Sequence, residues 1–208
     1  MTNMKSLVLA IGVLASNGAL AAPAAPPVCG GSDGIFCDGF DGGASTGDST
    51  VYDNRDDFLA ATAPGFYENG FDDAQGQSGA LSYSDPASGI AYTVGSSSPT
   101  GLWNGNGFIS PNSSGDQIVV TFTGTPVTAI GGNFWTGDSL INPYPGFNVV
   151  ISLSDGTIET LVSTGPTDFR GFTSPAPITS ISIDAPGVSG GGDNVWSAMD
   201  NLIVGSRQ

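Results

Sequence analysis

The chain has 208 residues, with 4 Lys and Arg against 19 Asp and Glu, no histidine and two cysteines. A balance this acidic provides no Lys/Arg cluster to grip phosphates, which argues against nucleic acid and anionic membrane partners. Without histidine, neither a Ser-His-Asp nor a Cys-His arrangement can be assembled.

The first residues place Lys5 ahead of an apolar run from Leu7 to Ala15 and end in Ala19-Leu20-Ala21, the three-part pattern of a secretory signal peptide over residues 1–21. The run is too short to span a bilayer, and no later segment approaches the roughly 20 apolar residues that a membrane helix needs. The expected mature chain begins near Ala22, is secreted to the periplasm or the extracellular space, and has lost its only lysine. Arg55, Arg170 and Arg207 then face all 19 acidic residues, a net of about −16. A cation is the expected charged partner, although acidity alone also keeps a secreted protein soluble.

Residues 22–50 are dominated by Ala, Pro, Gly, Ser and Asp and read as a tethered tail. Within it, Cys29 and Cys37 are expected to close a small disulfide loop, since a close cysteine pair in an exported chain reads first that way and two thiolates without histidine make a poor zinc site.

Residues 51–208 read as one β-sandwich domain. Asn54 is placed to cap a single short helix through Arg55–Ala61, with Asp56 and Asp57 in its first turn, where the helix dipole favours negative charge. Beyond Pro64-Gly65, period-two patterns and Gly/Pro/Asn punctuation predict strands near residues 80–83, 90–94, 117–123, 129–135, 147–153, 158–163, 178–183 and 198–204. Asp155-Gly156 predicts a two-residue type I′ hairpin. Partial alternation around Val120 and Val149 predicts central strands covered on both faces. A last strand of this kind pairs with a partner far back in the chain, so the first and last strands are expected to meet. The fold class is therefore all-β, an antiparallel jelly-roll-like sandwich with one short N-terminal helix.

Several pieces carry a resemblance: Arg55-Asp56-Asp57-Phe58-Leu59-Ala60-Ala61, Gly70-Phe71-Asp72, Ala129 to Phe134, Leu153 to Thr157, Phe169 to Ser174, Ile178 to Ile181 and Asp200 to Gly205. Their order and spacing resemble a large family of secreted bacterial β-sandwich domains often found on proteins with a PEP-type C-terminal sorting signal. The segment Ile35 to Asp41 is similar to a short signature of secreted proteins of Gram-negative bacteria. The resemblance implies a jelly roll shaped like carbohydrate-binding modules. The sorting motif, membrane helix and basic tail do not follow Gly205, so C-terminal anchoring is not expected.

Three kinds of chemistry follow. A carboxylate pair can hydrolyse glycosides, and Glu68 and Glu159 with the many aspartates are the raw material, but nothing singles out a pair. Jelly rolls of the resembled type often hold Ca²⁺ between first and last strands, which points to Asp72 and Asp200, with Glu68, Asp73, Asp193 and Asn194 as additions; the alternative is that Asp72 and Asp200 simply bond backbone N–H groups at strand ends. Asp38, Asp41 and Asp48 form another acidic group, without EF-hand spacing. Sugar binding uses exposed aromatic faces: Trp103 and Tyr144, set among Gly, Asn and Pro, are the expected loop platforms, and Trp135 and Trp196, beside apolar strand residues, are expected core. The expected function is a non-catalytic carbohydrate-binding or surface/matrix interaction module, with an extracellular glycan or matrix component as partner; a polysaccharide hydrolase and a purely structural matrix component are the alternatives.

Overall fold

A computed structural model describes residues 48–73, 76–105, 107–187 and 194–208. The leader, Cys29, Cys37, Asp38, Asp41 and Asp193 lie outside them. The described chain is an antiparallel jelly-roll-like β-sandwich of two sheets with one short helix. The larger sheet holds, in spatial order, β1 (Thr50–Tyr52), β12 (Phe169–Ile178), β9 (Val127–Gly137), β14 (Trp196–Gly205), β7 (Ile109–Pro111), β6 (Leu102–Asn104) and β3 (Gly76–Ser78), with β2 (Tyr67–Asn69) also paired to β14. The smaller runs β11 (Ile158–Val162), β10 (Asn148–Leu153), β13 (Ser180–Asp184), β8 (Ile118–Gly124), β5 (Ile90–Ser96) and β4 (Leu81–Asp85). Among the described residues no helix is long and apolar enough to cross a membrane.

The core lies between the sheets. Ile130, Phe134, Phe172, Met199, Leu202 and Val204 of the larger sheet meet Tyr92, Val94, Ile118, Val120, Ile151 and Ile181 of the smaller, all essentially inaccessible to water. Each side chain of this size stabilises the fold by about 1.5–3 kcal/mol when buried.

The helix, α1 (Arg55–Ala60), begins where Asn54 Oδ1 accepts the N–H groups of Asp56 (2.8 Å) and Asp57 (3.2 Å). It covers the outer face of the larger sheet through Phe58, which packs with Ala129, Phe169 and Ile203. Two glycines make this approach feasible. A Cβ at Gly171 would stand 2.5 Å from Phe58 Cδ2, and one at Gly131 2.7 Å from its Cε1.

Several expectations need correction. β12 is a strand that the sequence pattern does not predict, because Pro175 and Pro177 break it; its ladder to β9 shifts register between Thr173 and Ile178, where those prolines sit. The run 178–183 is divided between sheets, since Ile178 pairs with Val127 of β9 whereas Ser180 pairs with Thr121 of β8. The turn after β10 spans three residues: Leu153 and Thr157 close it through a 2.8 Å backbone bond, and only Gly156 has positive φ. β8 and β10 alternate buried and accessible positions at their centres, and the two-sided coverage falls instead on β9 and β14. The first strand, β1, pairs with β12; it is β2 that meets the last strand.

Candidate functional site

β14 is irregular at its centre, and that irregularity builds the first candidate site. Asp200 pairs with Asn133 and Ile203 with Gly131, so Asn201 and Leu202 stand opposite the single Gly132. This bulge resets the alternation, keeping Met199, Leu202 and Val204 all in the core. Asn201 absorbs the extra residue at φ 49°, a left-handed conformation that asparagine tolerates. Its Nδ2 donates to Asp200 Oδ2 (2.9 Å) and Asn133 Oδ1 (3.2 Å), which leaves Oδ1 turned the other way.

The opposite wall comes from the chain leaving β2. Asn69 Nδ2 donates to the buried Tyr92 hydroxyl (2.9 Å), and its Oδ1 accepts the Phe71 N–H (2.8 Å). This clamp holds Phe71 at φ 55° with its ring fully buried, and the next residue, Asp72, is carried back toward β14. The result is a cradle over Gly70: a Cβ there would lie 3.5 Å from Asp72 Oδ2, 3.7 Å from Asn201 Oδ1 and 3.9 Å from Asp200 Oδ1. A Cβ at Gly107 would come within 2.8 Å of Asp72 Oδ1 and 3.3 Å of the Gly70 carbonyl.

Burial pushes the Asp200 carboxyl up to about 6; the Asn201 N–H opposes that shift, and the charges of Asp72 and Glu68 add to it. Glu68 itself forms a two-pronged ion pair with Arg55 (2.8 and 2.9 Å). Asp73 is exposed, and its charge acts on Tyr67, Tyr83 and Tyr92. Asn194 is exposed ahead of β14. The structure thus brings Asp72 and Asp200 together, adds Asn201 and the Gly70 carbonyl, and holds Glu68 at the margin. Among the described residues no three His, Cys, Asp or Glu side chains form a metal-ligand group. The cradle has two carboxylates and completes itself with amide and carbonyl oxygens, an all-oxygen donor set suited to a hard cation such as Ca²⁺.

The second candidate site lies on the outer face of the same sheet. Trp135 pairs with Ala198 and Trp196 with Gly137, which puts both tryptophans on that face. Trp103, opposite Ser110, joins them through a stack of rings in which Phe108 lies 5.4 Å from both Trp103 and Trp135. Trp135 is 3% exposed and its indole N–H has no partner among the described residues. Trp103 and Trp196 are half-buried and line a groove of about 290 Å³, whose other walls are Pro111-Asn112 and the segment 139–141. Two assignments change accordingly. Trp103 sits on strand β6 and not in a loop, and Trp196, expected in the core, is a wall of the groove. Tyr144 is 42% exposed on its loop and stacks on Phe147 at 4.7 Å, but it is not part of this wall.

The wall segment is rigidly made. Asp138 Oδ1 accepts the N–H groups of Leu140 (2.8 Å) and Asn142 (3.0 Å), and the Asn142 side chain donates to both of its oxygens. Those Asn142 bonds hold the Asp138 carboxyl below the usual range. Ile141 is fixed at φ 56°, a strained conformation for a β-branched residue. It packs on Gly137, where a Cβ would stand 3.1 Å from the Ile141 Cα.

The chain matches no family model, no curated protein and no solved structure.

Glu68 and Glu159 are not brought together. They lie on different sheets, on β2 and on the edge strand β11, and each has its own arginine, Glu159 bonding Arg170 Nε at 3.2 Å. Among the described residues lining the groove none carries a carboxylate. Sequence reasoning missed Trp196 because it weighed the apolar neighbours and not the parity that puts Trp196 on the face of Ala198 and Trp135. It missed Asn201 although Asp200-Asn201, two polar residues in succession inside an apolar strand, is itself a bulge signal.

Proposed function

We propose that this protein is an exported, non-catalytic carbohydrate-binding module that acts at a surface or matrix outside the cell and is stabilised by Ca²⁺. The observation that carries the reading is the pair Trp103 and Trp196, half-buried on one sheet face with a groove between them. Indole faces stack on the apolar faces of pyranose rings, while Asn112 and Ser139 bring an amide and a hydroxyl for the sugar's own hydroxyls. The uncharged wall gives a hydrolase reading no support at this groove. Export rests on the leader pattern and on the resemblance to secreted bacterial sandwich domains. Ca²⁺ would be held by Asp72, Asp200, Asn201 and the Gly70 carbonyl, supplying the positive charge that these oxygens otherwise lack and pinning β2 to β14.

A glycan-array screen of the mature protein, with and without chelator, tests the reading. Any glycan retained should lose roughly fivefold or more of its affinity in Trp103→Ala and in Trp196→Ala, since truncating an aromatic that anchors a ligand costs about 1 kcal/mol or more. Melting curves of both variants confirm that they are folded. Wild-type affinity in both folded variants would move the site elsewhere.

A further inference from the structure

We infer that the groove between Trp103 and Trp196 selects uncharged glycans and discriminates against acidic ones such as polyuronates. This rests on the carbohydrate-binding reading and specifies its ligand class.

Charge is the first support. The described residues that line the groove are aromatic, aliphatic, amide or hydroxyl. The arginines of the mature chain are elsewhere. Arg55 on α1 is paired with Glu68, and Arg170 on β12 is paired with Glu159 and also donates to the Phe169 carbonyl. Arg207 follows the far end of β14 from Trp196, roughly 30 Å along the strand at about 3.3 Å per residue. The nearest fixed charge in sequence is negative: Asp138 immediately precedes Ser139 of the wall, and its bonds to the 140–142 turn keep it ionised. A uronate ring would bring its carboxylate into the field of a chain with a formal net charge of −15, with no cation among the described residues lining the groove to compensate.

Shape is the second. Leu140 is 78% exposed at the lip of the groove, an apolar side chain held out by a turn that Asp138 and the strained Ile141 keep in one conformation. A preformed apolar lip opposite two indoles offers contact to the C–H faces of a neutral sugar at small ordering cost. It offers nothing to a carboxylate.

The test is calorimetric titration of the mature wild-type protein with neutral hexasaccharides (cello-, xylo- and manno-) and with acidic ones (galacturonate and guluronate). The titrations are run at about 0.01 M and at about 0.1 M salt, where the screening length falls from about 30 Å to about 10 Å. A neutral hexamer should bind roughly tenfold more tightly than any acidic hexamer at low salt, and the gap should narrow as salt rises. Ser139→Lys, which plants a cation on the exposed lip, should narrow it at low salt by improving the acidic ligands. An acidic hexamer that binds as tightly as the best neutral one, or a gap indifferent to both salt and Ser139→Lys, overturns the selectivity while leaving carbohydrate binding intact. If neither class binds, the carbohydrate reading itself falls and the selectivity goes with it.

Discussion

Asp200 should make the metal-free protein less stable as pH rises, and replacing it by asparagine should remove that loss. Its folded-state carboxyl is pushed from 3.8 to about 6. A carboxyl raised in this way binds its proton more tightly folded than unfolded, so stability declines as pH climbs from about 4 through about 6, and the loss is complete above that window. A rise of about two pH units is equivalent to roughly 3 kcal/mol if fully expressed. Asp200 is only half-buried, and solvent screening reduces the figure to about 1–1.5 kcal/mol. The carboxyls of Asp85, Asp116, Asp138, Asp155 and Asp168 are lowered instead. Their stabilising effect is lost only as pH falls below about 4, outside the window. Urea unfolding in chelator between about pH 5 and about pH 7.5 should therefore show wild type weakening, while Asp200→Asn stays flat and is more stable by about 1 kcal/mol at the upper end. Saturating Ca²⁺ should reverse the order, because the proposed ion would bind the ionised carboxylate; at a free concentration about 100 times its dissociation constant it should add about 2.7 kcal/mol to wild type and much less to the variant. The reasoning fails if metal-free wild type is as stable at the upper pH as at the lower, or if Asp200→Asn shares its slope.

The remaining predictions concern packing and export. Gly171→Ala should cost about 1–3 kcal/mol, because its methyl would collide with the Phe58 ring, yet cost little in a Phe58→Ala background; equal costs in both backgrounds would mean that the helix does not depend on that approach. Intact-mass measurement of exported protein, before and after reduction and alkylation, should show cleavage near Ala21 and one disulfide between Cys29 and Cys37; a full-length chain or two free thiols would refute the expected address.

The parts of the fold that were legible in the sequence are those whose signal is local. Asn54 and the acidic pair behind it announce α1, because capping is decided within four residues. β5, β8 and β10 announce themselves by short runs rich in β-branched residues. By contrast β3, β6 and β7 are three residues each, and their extended form is set by the strands they pair with. β12 carries two prolines and is a strand because β1 and β9 flank it. The sites divide in the same way. Asp72 and Asp200 could be placed together from the pairing of early and late strands. Gly70, Gly107 and Asn201 could not, since their part depends on space left empty and on one bulge. The groove depends on which face each tryptophan takes, and pairing register decides that.

The position of β14 also bears on the order in which the molecule can be made. It lies between β9 on one side and β7 and β2 on the other, so without residues 196–205 the larger sheet is three pieces, β1-β12-β9, β7-β6-β3 and β2 alone, with no hydrogen-bonded connection among the described strands. The strand that joins them follows all the others in the chain. A polypeptide emerging from its amino end therefore cannot close this sheet until nearly the whole sandwich has been synthesised, and its contacts span long stretches of sequence, the slow class of folding problem. For a chain exported as proposed, this delay would suit its route, because a precursor that has not closed its central sheet is still thin enough to be threaded through a membrane.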